Sequence, residues 1–393
     1  MRYTLCLLFI WGVFFSAAQS PNKIHQNAVL VDTHNDLLTS QTLEGRDIGN
    51  HLTEGHSDLY RLKQGGVDVQ FFSVWTGEES RSSEGFFKDA MIEIDSLEFI
   101  ALRNEGKMIL TNRFQTIKMG LRQNKLVGFI GVEGGHMIED DLDKLEILYN
   151  RGMRYLTLTW NNSNNWATSA RDETERASTL THKGLTEFGK KVVQRMNQLG
   201  IMVDLSHVGE QTFFDALAVT TKPVILSHSS VYTLCPHYRN VKDEQIKAVA
   251  ANGGVICINF YSGFVGAAYN KRLNELMGEA GKSIKDSLAV IYPDEKQRQA
   301  KWQEYFNAEL EKVRPTLAQL VDHIDYIVKL VGDDYAGIGS DFDGVSSLPI
   351  GIKDVTSYPL ITEELLKRGY TPASIQKILG KNVLRVMKAN FDK

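Results

Sequence analysis

Five residues in this chain are of types that hold metal ions, and they follow short apolar runs. They are His34 and Asp36 in VLVDTHND, Glu133 in GFIGVEGGH, His207 in IMVDLSHVG and His228 in PVILSHSS. The run in each case gives way to a loop rich in Gly, Ser or Asn. One imidazole or carboxylate at a strand end means little. Several at the same end of several strands predict a metal site on one face of a parallel sheet. His34 and Asp36 are two residues apart, so in extended backbone both side chains point the same way and reach one cation. His207 and His228 follow neighbouring strands and suit a second cation. Glu133 stands between the two pairs, where its carboxylate can bridge. Nitrogen and oxygen donors of this kind suit Zn²⁺ and, less well, Mn²⁺ or Co²⁺. Two such cations can share a hydroxide and polarise a carbonyl.

Two further residues complete the expected chemistry. Asp341, in AGIGSDFDGV, is surplus to the five ligands and fits a general base and acid that handles the proton of the attacking water. Its neighbour Asp343 reads as a loop anchor. Arg239, in YRN, could take a substrate carboxylate in a bidentate fork, against the plainer reading of a surface ion pair. Isolated histidines are more often hydrogen-bonded or exposed than ligating. That covers His25, His51, His56, His182, His237 and His323, while His136 in EGGH reads as a support for Glu133.

Eight strands are expected to position these groups, at 29–32, 67–74, 127–132, 155–159, 201–205, 224–226, 255–260 and 336–339. They are short β-branched or apolar runs, as for strands buried on both faces. Amphipathic helical spacing falls between many of them, at 86–104, 143–151, 185–199, 244–251 and 317–331. Strand–helix alternation repeated eight times predicts a (β/α)8 TIM-like barrel. A doubly wound sheet competes, but no Gly-rich phosphate loop follows the first strand. The charged, helix-prone 271–313 segment reads as an insertion between strands 7 and 8. Thr371 as N-cap and Pro372 at the first helical position open a final helix over 371–387.

The 393 residues are 42% hydrophobic with a net charge of −4, enough for a large core and without a basic block that would bind nucleic acid. Residues 1–18 read as a cleaved signal peptide: Arg2, an apolar stretch too short to span a bilayer, then Ser16-Ala17-Ala18. That leaves 19–393 as a single domain, exported to the periplasm or medium, with no membrane span and a possible homodimer. Export would permit a disulfide, but Cys235 falls in a loop and Cys257 in a core strand, so two separate thiols are the plainer expectation.

The motifs DTHNDL, GVEGGH, MRYLTLTW, DLSHV, ILSHSS, RNV and GSDFDGV occur in the order of a known family. The chain resembles the membrane dipeptidase (renal dipeptidase) family of zinc peptidases from about Val31 to Met387. The resemblance implies a (β/α)8 barrel with two Zn²⁺ per chain that hydrolyses dipeptides. It implies that His34 and Asp36 hold one zinc, His207 and His228 the other, and Glu133 both. Arg239 would hold the dipeptide's carboxylate and Asp341 would transfer protons. One departure stands out. Many members carry His after LTLT, in contact with substrate, where this chain has Trp160 followed by Asn161 and Asn162. Trp160 and Asn161 are therefore expected substrate contacts. Two other readings compete: another binuclear metal amidohydrolase, acting on cyclic amides or lactones, and a binding protein of the same fold with weakened catalysis.

Overall fold

The computed structural model describes residues 20–391. Nine parallel strands form the sheet: β1 (Leu30–Asp32), β2 (Val67–Trp75), β3 (Met108–Leu110), β4 (Leu126–Glu133), β5 (Met153–Thr157), β6 (Met202–Asp204), β7 (Ile225–Leu226), β8 (Val255–Ile258) and β9 (Ala336–Ile338). Their order is β2-β1-β9-β8-β7-β6-β5-β4, and β2 pairs with β4 to close an eight-stranded barrel. This is the expected TIM-like fold.

The ninth strand, β3, was not expected. It pairs with the first residues of β4, Met108 opposite Leu126 through Leu110 opposite Gly128, while β5 pairs with the later ones from Ile130. Three residues after a helix give too short a run for period-two alternation to register.

Inward and outward side chains alternate as a pleated barrel demands. Val31, Val69, Phe71, Val127, Phe129, Tyr155, Met202, Ile225, Val255 and Cys257 fill the interior. Val383, Val386 and Met387 of the last helix join this cluster and stopper the end of the barrel away from the site. Phe72, Val74, Ile130, Val132 and Leu156 face outward into a second core under the helices.

Several helices match their expected spans closely, including Phe86–Arg103, Glu187–Leu199 and Leu317–Val331. The helix Leu317–Val331 starts on a reciprocal cap, with Thr316 and Gln319 satisfying each other's backbone N–H groups. Between β8 and β9 the chain forms helices Ala267–Met277, Glu279–Ile291 and Glu295–Glu311. Thr371 caps the C-terminal region as expected, its side chain accepting from Ser374 N–H. That region then passes through a π-helical turn, Lys377–Lys381, and continues to Phe391. Cys235 and Cys257 are both buried free thiols. The signal peptide expected at 1–18 lies outside the described residues. Among those residues no helix is long and apolar enough to cross a membrane.

Candidate metal centre and substrate cavity

Two buried aspartates at strand ends shape the loops that carry the histidines. Asp32, the last residue of β1, accepts from His34 N–H (3.3 Å), Ser340 N–H (3.0 Å), Ser340 Oγ (2.7 Å) and Tyr358 OH (2.5 Å). It thereby ties the end of β1 to the loop after β9. Asp204, the last residue of β6, accepts from Ser206 N–H (3.0 Å), Ser227 N–H (2.9 Å), Ser227 Oγ (2.6 Å) and Thr157 Oγ1 (2.5 Å). It binds the ends of β5, β6 and β7 in the same way. His207 and Asp341 sit at positive φ, 67° and 62°. Such backbone costs of order 1–3 kcal/mol for a non-glycine residue and persists where surroundings over-determine it.

Glu133 ends β4 at the centre of the arrangement. Its Oε2 is 3.4 Å from His34 Nε2, while its Oε1 is 2.8 Å from His207 Nε2 and 3.2 Å from His228 Nε2. His34 Nε2 is also 3.5 Å from Asp36 Oδ2. One oxygen of Glu133 thus faces each expected half of the site. The halves are less separate than the spacing suggested, because the His34 and His228 rings stack with centroids 3.7 Å apart. The ligand atoms of His34, Glu133 and His228 form one cluster, and those of His34, Asp36 and Asp341 a second, each within 4.8 Å.

The far nitrogen of each ring is anchored. His228 Nδ1 meets Ser227 Oγ at 2.8 Å, and that hydroxyl already donates to Asp204. It therefore accepts from His228, which places the proton on Nδ1 and the lone pair on Nε2. His207 Nδ1 meets Asn161 Oδ1, an acceptor, at 3.0 Å, with the same consequence. His34 Nδ1 meets Tyr155 OH at 2.8 Å. Partners of this kind orient metal-ligating imidazoles. Burial, reinforced by the Arg239 charge, pushes His207 down to about 3, and burial with the neighbouring His34 pushes His228 well below the imidazole range. Burial opposes ionisation of Glu133, but the surrounding imidazoles outweigh it and hold the carboxyl well below its usual range.

The residues fit divalent cations. The Nε2 atoms of His207 and His228 lie 2.9 Å apart and both face Glu133 Oε1. Three acceptors converging with no donor between them call for a positive centre. His34 Nε2 and Asp36 Oδ1 are buried without a hydrogen-bond partner among the described residues.

The remaining predicted residues line one cavity of about 440 Å³ with Asp36, Glu133 and His207: Arg239, Trp160, Asn161 and Asp341. Arg239 is 5% exposed; its Nη2 donates to His228 O (3.0 Å), and its Nε has no partner among the described residues. Its guanidinium lies over the Phe264 ring at 5.4 Å. Asp341 Oδ2 accepts from Asn259 Nδ2 at 2.7 Å. Burial and the adjacent Asp36 charge push its carboxyl well above the usual range. Asp343 holds the loop, accepting from Gln41 Nε2 and His56 N–H. His25 and His323 bond to buried backbone and side-chain groups, and His136 packs edge-on against Phe86.

Sequence reasoning missed Tyr155, Ser227, Asp32, Asp204 and Gly344. A Cβ on Gly344 would lie 2.1 Å from Asp36 Oδ2 and 2.4 Å from Asp341 Oδ1, so a side chain there would displace both carboxylates. The signal for the two aspartates was present: each ends a strand two or three residues before a histidine.

Comparison with known proteins finds relatives in both fold and sequence. A structure of a metallopeptidase from Rhodobacter sphaeroides, liganded with a phosphinate mimic of the dipeptide L-Ala-D-Ala, superposes with a TM-score of 0.72 at 21% identity, covering 93% of this chain and 100% of that one. The metallopeptidase dipeptidase AC, of family M19, gives 0.73 at 23% identity, covering 93% of this chain and 99% of that one. These likenesses bear on the fold. An uncharacterised dipeptidase of Schizosaccharomyces pombe is 34% identical over 390 residues, 95% of this chain and 83% of that protein. The family model for membrane dipeptidase, peptidase family M19, matches residues 18–392. The chain therefore belongs to the membrane dipeptidase family and is a metallo-dipeptidase.

Proposed function

We propose that the chain hydrolyses dipeptides at a centre of two zinc ions, held by His34 and Asp36 on one side, His207 and His228 on the other, and Glu133 between. The observation that carries this is the split contact of Glu133, Oε2 toward His34 and Oε1 toward His207 and His228. Bound there, the ions would supply Lewis acidity at the scissile carbonyl and bring the pKa of a water toward neutrality.

The chain's own groups account for the rest. Arg239, whose Nε has no partner among the described residues, lines the cavity wall and takes the free carboxylate of the substrate, which restricts substrates to short peptides. Asp341 has one oxygen occupied by Asn259. Its other oxygen accepts the proton of the attacking water and returns it to the leaving amine. Asn161 keeps the His207 ring in its ligating tautomer from within the cavity wall. The 1–18 leader supports export of the mature chain, which N-terminal sequencing of the secreted form checks.

The deciding experiment is reconstitution with zinc followed by elemental analysis and an assay on Gly-Leu. Two ions per chain and cleavage are expected. One ion or none, or an intact dipeptide at full loading, defeats the proposal.

A further inference from the structure

Across the mouth from Arg239 the cavity wall is aromatic. Arg239 follows β7 and Trp75 ends β2, and in the closed barrel three strands separate β7 from β2 in either direction. The two side chains therefore enter the same cavity from opposite sides, with Glu133 beside Trp75 in register on the neighbouring strand. Trp160 meets the Trp75 ring edge-on, centroids 5.1 Å apart at 65°, and also lines the cavity.

This corner is held rigidly. The Trp75 N–H donates to Glu93 Oε2 at 3.0 Å, and Arg81 Nη1 donates to Trp75 O at 2.9 Å. Arg81 Nη2 pairs with Glu93, whose side chain is fully buried on the helix Phe86–Arg103. Both sides of the Trp75 peptide are thus clamped by one ion pair. The loop beyond it is tied to the helix Ala170–Glu175 by the ion pair of Glu78 with Arg171.

We propose that the Trp75–Trp160 corner is the subsite for the side chain of the dipeptide's N-terminal residue, and that it selects apolar, above all aromatic, side chains there. This rests on the proposed function, in which Arg239 takes the C-terminal carboxylate. A dipeptide spans roughly 7 Å in extended form. With its carboxylate at Arg239 and its peptide bond over Glu133, its first residue falls on the β2 side. Two indole rings at an edge-to-face angle offer a third ring a favourable packing surface. They offer an anionic side chain no counter-ion, and a cationic one only the modest attraction of a ring face.

The test is kcat/KM of the zinc-loaded full chain on Phe-Gly, Leu-Gly, Gly-Gly, Lys-Gly and Glu-Gly, with Gly-Phe as the reversed control. Burial of one large apolar side chain predicts that Phe-Gly and Leu-Gly exceed Gly-Gly and both charged substrates by roughly tenfold to a hundredfold. Trp75→Ala and Trp160→Ala should each collapse the Phe-Gly to Gly-Gly ratio. A flat panel, a preference for Lys or Glu, or a ratio that survives both substitutions overturns the subsite. The wild-type panel decides even if a variant fails to fold. If no dipeptide is cleaved, the proposed function falls instead, and calorimetric binding of Phe-Gly against Gly-Gly still reads the subsite: a tenfold preference upholds it, equal affinity removes it.

Discussion

Asp341 and Arg239 both line the cavity, and because the roles proposed for them differ, single substitutions should separate them. Asp341 is fixed through one oxygen by Asn259. Asp341→Asn keeps the size of the side chain and removes its basicity. It should lower kcat by roughly 10²–10⁴-fold while zinc content stays at the wild-type value. Near-normal turnover would remove Asp341 from proton transfer, and lost zinc would make it a ligand, since its carboxylate also clusters with His34 and Asp36. Arg239 is buried, with its Nε unpartnered among the described residues. Losing a charge-assisted hydrogen bond costs about 1.5–3 kcal/mol, so Arg239→Ala should raise KM for dipeptides roughly tenfold to a hundredfold. A dipeptide amidated at its C-terminus should show the same rise with the unmutated protein. Equal cleavage of amidated and free substrates would refute the carboxylate role. These residues were legible in the sequence because their types are rare at strand ends. Their partners were not. Tyr155 and Ser227 are ordinary residues whose meaning comes only from which histidine the closed barrel sets beside them, and Asn161, expected against substrate, also meets His207.

Strands rather than loops fix the base of the site, and one glycine shows how. Gly131 lies in β4, paired with Tyr155 of β5, and a Cβ there would fall 1.9 Å from Tyr155 Cζ. The missing side chain makes room for the phenol that reaches His34. Gly131→Ala should cost about 1–3 kcal/mol through overpacking and also weaken zinc binding, because the displaced ring no longer orients His34. Tyr155→Phe removes only the hydroxyl, so it should spare folding yet lower zinc affinity by about 10–100-fold. Denaturant midpoints and zinc titrations of the two variants separate packing from orientation. If Tyr155→Phe binds zinc normally, the phenol does not orient the ligand. A second strand residue sets a pH dependence. Asp68 in β2 accepts from Leu30 N–H at 3.0 Å, and burial pushes its carboxyl up to about 6. The folded state therefore binds this proton more tightly than the unfolded chain. The associated stability is present in full below the unfolded pKa and is lost as pH rises through about 6. Asp68→Asn should change little at pH ~4 and gain on the order of 1 kcal/mol over the wild type at pH ~7.5. No change in that difference between the two pH values would contradict the shift. The strands themselves were readable from their β-branched runs. Strand β3 and the π-helical turn before the last helix were not, since three residues carry no periodicity and a π turn keeps the same apolar face with one extra residue.

At the scale of the whole molecule, the closed barrel carries the candidate metal residues at one end and a helical stopper at the other. The candidate ligands come from the ends of β1, β4, β6 and β7, with Asp341 from β9, so cations at this site would cross-link strands far apart in the chain. The unfolded chain cannot assemble that set, so zinc should bind the folded state alone. Linkage then adds about 2.7 kcal/mol of stability when free zinc is a hundred times its dissociation constant. The barrel closes through β2 and β4, and the last helix packs into its interior through Val383, Val386 and Met387. None of the eight barrel strands can leave without opening the closed sheet. Zinc should accordingly raise a single melting transition in a concentration-dependent way rather than sharpen one part of a biphasic curve. Glu133→Ala removes the carboxylate whose two oxygens face the two halves of the site and should abolish most of that increment, while His207→Ala should remove only part. Calorimetric melting of the three proteins across a zinc titration tests this. A melting temperature indifferent to zinc, or two transitions of which one responds, would mean that the metal residues are not coupled to the barrel as a whole.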